Sequence, residues 1–319
     1  MEEDPRFLTE QIVTYLGNKR SLLHFLGTGL EQVKKRLGKE RLKAGDLFSG
    51  SGIVARFLKQ HSEELIVNDL EEYSRVVNTC YLSNAEEVEN LELDRHYRRL
   101  LRYMETHESP GFITELYAPR NPDCITADDR VFYTRRNAVY LDTARQTINL
   151  LPAEIRPYFI APLLAEASVH TNTSGVFKGF YKDRNGIGKF GGTGGNALSR
   201  ILGDISLPFP VFSRFDCRYS IHCRDANELA TELPEMDVVY LDPPYNQHPY
   251  GSNYFMLNLL SSYEKPEETS RVSGIPADWK RSMYNSRQHA PEALFRLLED
   301  WPNLFCFPTA RRDSSTMRK

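Results

Sequence analysis

The segment Met236–Leu241, MDVVYL, constrains the fold more than any other. It is a near-continuous apolar run, the pattern of a strand buried on both faces of a parallel sheet. It leads directly into Asp242-Pro-Pro-Tyr245. Two consecutive prolines hold the backbone extended and donate no N–H groups, so the ladder must stop there. Near the other end of the chain, Lys43–Phe48 reads as a strand that runs into Ser49-Gly-Ser-Gly52. Ile53–Leu58 reads as the next helix, and Leu65–Val67 as a second buried strand ending in Asn68-Asp69. Strand, glycine turn, helix, strand opens a parallel βαβ unit. Before it, Leu22, Leu26, Leu30, Val33 and Leu37 recur at helical spacing.

The pattern changes after residue 70. Residues 71–106 and 137–170 read as mostly helical, and residues 171–195 are too dense in glycine for a helix or a long strand. Strand signals return at Tyr219–Cys223, followed by a short helix from Ala226 to Leu233. The α/β unit therefore occupies 1–70 and 218–300, and 71–217 reads as an inserted domain.

With 319 residues the chain can bury a core without disulfide or metal staples. No apolar run approaches the roughly 18 residues of a membrane helix, and the acidic N-terminus is no secretory signal. The cysteines at 80, 124, 217, 223 and 306 form no C-x-x-C pair, which suits a reducing cytoplasm and gives no metal site. A net charge of −3 excludes a uniformly basic nucleic-acid coat but allows a local basic groove.

The glycine turn lets a ligand approach the backbone, and Asp69 stands where an acid can accept from ribose hydroxyls. A tight turn with a surface aspartate explains the same residues. Asp46 would repel a pyrophosphate, which weakens a nicotinamide reading, and suits the ammonium group of S-adenosylmethionine. The Asp-Pro-Pro-Tyr turn is more specific. Its carbonyls and the Asp242 carboxylate form an acceptor-only cluster at the carboxyl end of a strand, where α/β sheets bind ligands. Two acceptors on an exocyclic NH2 group favour the pyramidal geometry that frees its lone pair for methyl transfer. Tyr245 can stack on the base, which must leave the duplex to be reached.

Tyr15-Leu-Gly-Asn-Lys19, Asp46–Gly52, Asp69 and Asp242–Tyr245, in that order, resemble the Dam-like, α-group N6-adenine DNA methyltransferases. The stretches His170–Gly195, Asp225–Asn258 and Gly274–Asn285 are most similar to a restriction–modification branch. The resemblance implies an α/β fold: a Rossmann-like S-adenosylmethionine-dependent methyltransferase sheet with an inserted, mostly helical target-recognition domain. It implies that Tyr15, Lys19, Asp46, Phe48, Gly50, Gly52, Asp69 and Asp225 bind S-adenosylmethionine. Asp242, Pro243, Pro244 and Tyr245 then act on the target adenine. Lys19 also reads as a solvated lysine, and Asp225 as a cap of the helix at Ala226. The expected partners are double-stranded DNA and a cognate restriction endonuclease, with the chain a monomer. Cytosine N4 or RNA methylation, or an inactive DNA-binding remnant, stay open as alternatives.

Lys178, Lys182, Arg184, Lys189 and Arg200, interleaved with Phe177, Phe180, Tyr181 and Phe190, suit phosphate contacts and stacking on DNA. Arg130, Arg135 and Arg136 add to that charge. Asn246–Tyr254 reads as a loop beside the flipped base. The family carries further strands after the catalytic turn, and these are missing here. Residues 301–319 have no helix or strand period. Read one nucleotide earlier from Asp300, degenerate codons permit a buried strand followed by Ser-Tyr-x-x-Glu-Gly-Phe-Ile, similar to the family. The tail is therefore expected to be out of frame or disordered, and the chain poorly stable.

Overall fold

The computed structural model describes residues 2–299 apart from 193, 196, 246 and 247. The tail 301–319, with the frame-shift expectation attached to it, lies outside the described residues. Helix α1 (Leu23–Leu37) leads into β1 (Leu42–Asp46), α2 (Ile53–Lys59) and β2 (Ser62–Asn68). Seven helices follow: α3 (Glu72–Tyr81), α4 (Ala85–Asn90), α5 (Leu93–Met104), α6 (Phe112–Tyr117), α7 (Arg135–Asn149), α8 (Arg156–Val169) and α9 (Leu198–Leu202). The chain then returns through β3 (Arg218–His222), α10 (Ala226–Ala230) and β4 (Val238–Tyr240). It ends its described part with α11 (Tyr250–Asn253), α12 (Phe255–Ser262) and α13 (Ala290–Glu299). Among the described residues no helix is long and apolar enough to cross a membrane.

The four strands form one sheet in the order β3-β2-β1-β4, and every pairing is parallel. The chain moves outward from β1 to β2 and β3, then crosses back to place β4 on the other side of β1. That reversal is a topological switch point, so the crevice opens at the carboxyl ends of β1 and β4. Asp46 at the end of β1 is in register with Val67 of β2 and Tyr240 of β4. The glycine turn and the Asp-Pro-Pro-Tyr turn therefore leave the sheet side by side.

One expectation is corrected. In β4 only Val238 is buried, while Val239 and Tyr240 are half-buried. The reason is position: among the described residues β4 pairs with β1 alone. Another correction concerns 246–254, read as a loop: residues Tyr250–Asn253 are helical.

Three apolar clusters build the core. One packs α1 and α2 against the sheet through Leu30, Val54, Leu65 and Val67. A small one joins Leu47 to α10 and α13. The largest joins Val76 of α3, Leu163 of α8 and Leu257 of α12. Helix α12, which follows the catalytic turn, thus shares one core with the helices of the 71–217 stretch. Arg56 of α2 is fully buried and donates to the carbonyls of Phe7, Glu10 and Gln11. It also stacks on Tyr81 at 3.5 Å. A buried cation answered by carbonyls and a ring is costly to displace, so it fixes the N-terminal segment over the sheet.

Candidate active site

The crevice is lined from all four strand ends. Its walls come from Tyr15 and Gly17, from Phe48 after β1, and from Asp69 and Glu71 after β2. Asp225 after β3, and Asp242 and Pro244 after β4, complete them. About 690 Å³ of space lies between these groups, part of it open to solvent.

Tyr15 is the pivot of the N-terminal wall. It stacks with Tyr254 (centroids 4.6 Å apart) and Tyr250 (5.2 Å), whose rings are 5.8 Å from each other, and the three rings are nearly parallel. Its hydroxyl accepts from Tyr73 at 3.1 Å, and the Leu16 amide donates to the Tyr254 hydroxyl at 2.7 Å. The ring lies so close to Gly50 that a Cβ there would stand 2.8 Å from the Tyr15 hydroxyl. Gly50 also has a φ of +50°, so glycine is required twice over.

Asp46 is 1% exposed, and neither of its carboxylate oxygens makes a hydrogen bond. Burial pushes its pKa well above the usual carboxylate range, and Asp69 and Asp242 add to the push. The Phe48 and Ala55 amides pull the other way, short of hydrogen-bond geometry. Asp69 accepts from the Gly50 amide at 2.7 Å and from the Glu71 amide at 2.9 Å. Burial raises its pKa too. Asp225 caps α10, its Oδ1 accepting from the amides of Asn227 and Glu228. Phe48 meets Tyr284 edge-on at 5.1 Å.

At the catalytic turn, the Lys19 ammonium lies 2.6 Å from Asp242 Oδ2 and donates to the Gly17 carbonyl at 2.9 Å. It also sits 5.8 Å from the centroid of the Tyr245 ring. Tyr245 is 70% exposed, so its face is free for a planar partner. Of the residues singled out in the sequence, Tyr15, Phe48, Asp69, Asp225, Asp242 and Pro244 line the crevice. Lys19 joins them through Asp242, whereas Asp46, Gly50, Gly52, Pro243 and Tyr245 are not among the residues that line it. Glu71, Tyr250, Lys280 and Tyr284 also line the crevice. Glu71 had a legible signal, an acid two positions after Asp69. The others lie in segments without helix or strand period.

A family model described as D12 class N6 adenine-specific DNA methyltransferase matches residues 15–292, from the Tyr15 wall to the helix after Tyr284. The chain belongs to that family. Type II methyltransferase M.CviAII of Paramecium bursaria Chlorella virus 1 is 30% identical, over 90% of this chain and 80% of its own. Type II methyltransferase M.NlaIII of Neisseria lactamica is 26% identical with the same coverage. Type II methyltransferase M.FokI of Planomicrobium okeanokoites is 25% identical over 89% of this chain and 42% of its own. No solved structure matches the chain. As a D12 methyltransferase, the protein is an enzyme that acts on adenine N6 in DNA, on a Rossmann-like α/β fold.

The glycine-rich stretch of this D12 enzyme differs from its sequence reading. Phe177 is in the core, so its ring is not free to stack on a base, and half-buried Phe180 packs edge-on against Phe132. Arg200 turns inward and donates to the carbonyls of Val169, Thr171 and Thr173. Arg130 donates to Thr269 and Ser270, and Arg136 pairs with Asp204. These arginines answer backbone and side-chain acceptors that the irregular chain leaves open. Lys178, Arg184 and Lys189 remain exposed. Buried Asn172 holds the stretch together: its side chain donates to the Val131 and Lys189 carbonyls and accepts from the Gly191 amide. The Phe177 amide donates to the Asn253 carbonyl at 2.7 Å, which ties the stretch to α11.

Proposed function

We propose that the methyl donor is S-adenosylmethionine, and that the enzyme is the modification half of a restriction–modification system acting on duplex DNA. The observation that carries the donor is Asp46, a buried carboxylate with both oxygens unanswered, next in register to the strand that bears Asp242. In the lining, the four acids Asp69, Glu71, Asp225 and Asp242 outnumber the two cations Arg224 and Lys280. A cationic ligand meets such a wall favourably, and a pyrophosphate does not. S-adenosylmethionine supplies a methyl group on a sulfonium centre, transferable to an amine nitrogen.

The protein's own groups then have these roles. Tyr15 and Phe48 enclose the donor, Asp46 faces its cationic end, and Gly50 and Gly52 keep the backbone close. Asp225 carries an oxygen not used by its cap, at the edge where the nucleoside base would lie. Lys19 holds Oδ2 of Asp242 and so aims Oδ1 at the adenine amine. The carbonyls of the Pro243–Pro244 turn accept beside it. These acceptors draw positive charge at N6 as the nitrogen lone pair attacks, and that charge grows only toward the transition state. Tyr245 stacks on the extruded base. Lys178, Arg184 and Lys189 contact phosphates, and residues 71–217 form the target-recognition unit. The proposal includes a monomer in the cytoplasm and a cognate endonuclease. The names of the type II relatives support the restriction–modification reading.

The test is transfer of a labelled methyl group from S-adenosylmethionine to unmethylated duplex DNA, followed by digestion to nucleosides. Label in N6-methyladenine is the expected result. Label in N4-methylcytosine, or transfer only to RNA, would reject the assignment of the target.

A further inference from the structure

Leu16 is 50% exposed, yet its backbone is held on both sides. Its amide donates to the Tyr254 hydroxyl at 2.7 Å, and the carbonyl of the next residue, Gly17, accepts from the Lys19 ammonium at 2.9 Å. Gly17 has a φ of +76°, and a Cβ there would stand 3.3 Å from the Tyr245 hydroxyl and 3.5 Å from the Lys19 ammonium. Leu16 and Gly17 line the crevice, whereas Tyr245 does not. The two residues therefore form the rim between the crevice and Tyr245.

Single exposed leucines are ordinary on a protein surface. Leu16 stands apart because the backbone that carries it is fixed, and because the residue beside it adjoins Tyr245, itself largely exposed. Two exposed apolar side chains thus stand close together at the mouth of a crevice whose charged lining is mainly acidic. The acids suit the donor, and the apolar pair suits the flat faces of a base. The position also fits the reaction. Lys19 links Asp242 to the Gly17 carbonyl, so an adenine amine that meets Asp242 brings its ring beside this rim.

We propose that Leu16 is the second apolar wall of the target-base slot: the extruded adenine stacks on Tyr245 and packs against Leu16 on the crevice side. This rests on the reading of Asp242 and Tyr245 given above and deepens it.

The test measures binding of the full chain, in the presence of S-adenosylhomocysteine, to a duplex carrying the adenine that the wild type modifies. That adenine is located first by mapping N6-methyladenine in plasmid DNA. A second duplex lacks the target base. Leu16→Ala weakens binding to the intact duplex about five- to tenfold, the size expected for covering the exposed half of a leucine. On the duplex without the base the loss shrinks to within about twofold, since nothing is left for Leu16 to cover. Leu16→Met keeps the apolar volume and stays within about threefold of the wild type. No loss in Leu16→Ala overturns the proposal. So does a loss that persists in full without the base, which would make Leu16 a contact of the duplex itself. A fall in affinity for S-adenosylhomocysteine as large as that for the intact duplex overturns it too, and would assign Leu16 to the donor site. Tyr245→Ala separates the two levels. If its own loss does not depend on the target base, the reading of Tyr245 fails and the wall falls with it. If it does depend on the base and the loss in Leu16→Ala does not, the wall alone fails.

Discussion

The crevice at the sheet ends and the glycine-rich stretch 171–195 both combine glycines with charged and aromatic residues, yet they use them in opposite ways. At the head of the crevice, a buried polar group is left short of partners: neither oxygen of Asp46 makes a hydrogen bond. In the stretch, the buried polar groups are answered within the chain. Asn172 makes side-chain bonds to Val131, Lys189 and Gly191, and Arg200 caps the carbonyls of Val169, Thr171 and Thr173. Unanswered buried polarity marks where a ligand belongs. Answered buried polarity marks where an irregular backbone is held in shape.

That contrast can be broken most sharply at Asp242. Asp242→Ala is expected to lower methyl transfer by at least about 10²–10³-fold, as for loss of a group that answers transition-state charge, with DNA binding unchanged. Equal loss of DNA binding in a gel-shift titration would mean that the turn is scaffolding. On the other side, Asn172→Ala leaves buried carbonyls and an amide unpaired. It should destabilise the protein by about 2–3 kcal/mol in urea denaturation, with no specific effect on donor binding.

Glu71 gives a test by pH. Its pKa is 4.5 as a free side chain and about 7 in the fold. Between these values the folded state holds a proton that the unfolded state has lost. Stability therefore falls as pH rises through this window, by about 3 kcal/mol in total. Glu71→Gln should flatten that part of the stability–pH profile, and a profile identical to wild type would show that Glu71 is not desolvated. A smaller effect belongs to the exposed cations. Replacing Lys178, Arg184 and Lys189 by alanine should make the slope of log affinity against log salt shallower by nearly 3 if each meets a phosphate. Arg200→Met should leave that slope unmoved, because its guanidinium is already spent on carbonyls.

Much of this architecture was legible in the sequence. The apolar runs at 65–67 and 236–241 placed strands, and the Gly50 and Pro243 turns placed their ends at one edge. Asp69 was legible as a site acid by its position after a strand, but its partners were not, because sequence does not say which oxygen a backbone amide will take. The roles of Phe177 and Arg200 were misread for the same reason. An aromatic or a cation in a glycine-rich stretch looks free until tertiary packing assigns it. Lys280 and Tyr284 reach the crevice from a segment without period, so only the fold could bring them there.

The strand that carries Asp242 joins the sheet through three residue pairs, Ala44 with Val238, Gly45 with Val239 and Asp46 with Tyr240. Its partner β1 is met much earlier in the chain, and β1 and β2 are neighbours in sequence as well as in space. Closing a long loop for so short a ladder comes late in folding and is undone first, since few protected amides resist opening there. The part of the molecule that performs the chemistry is thus the last to be assembled and the first to let go. Hydrogen exchange at Val239 should outpace that at Ile66 in the middle of β2.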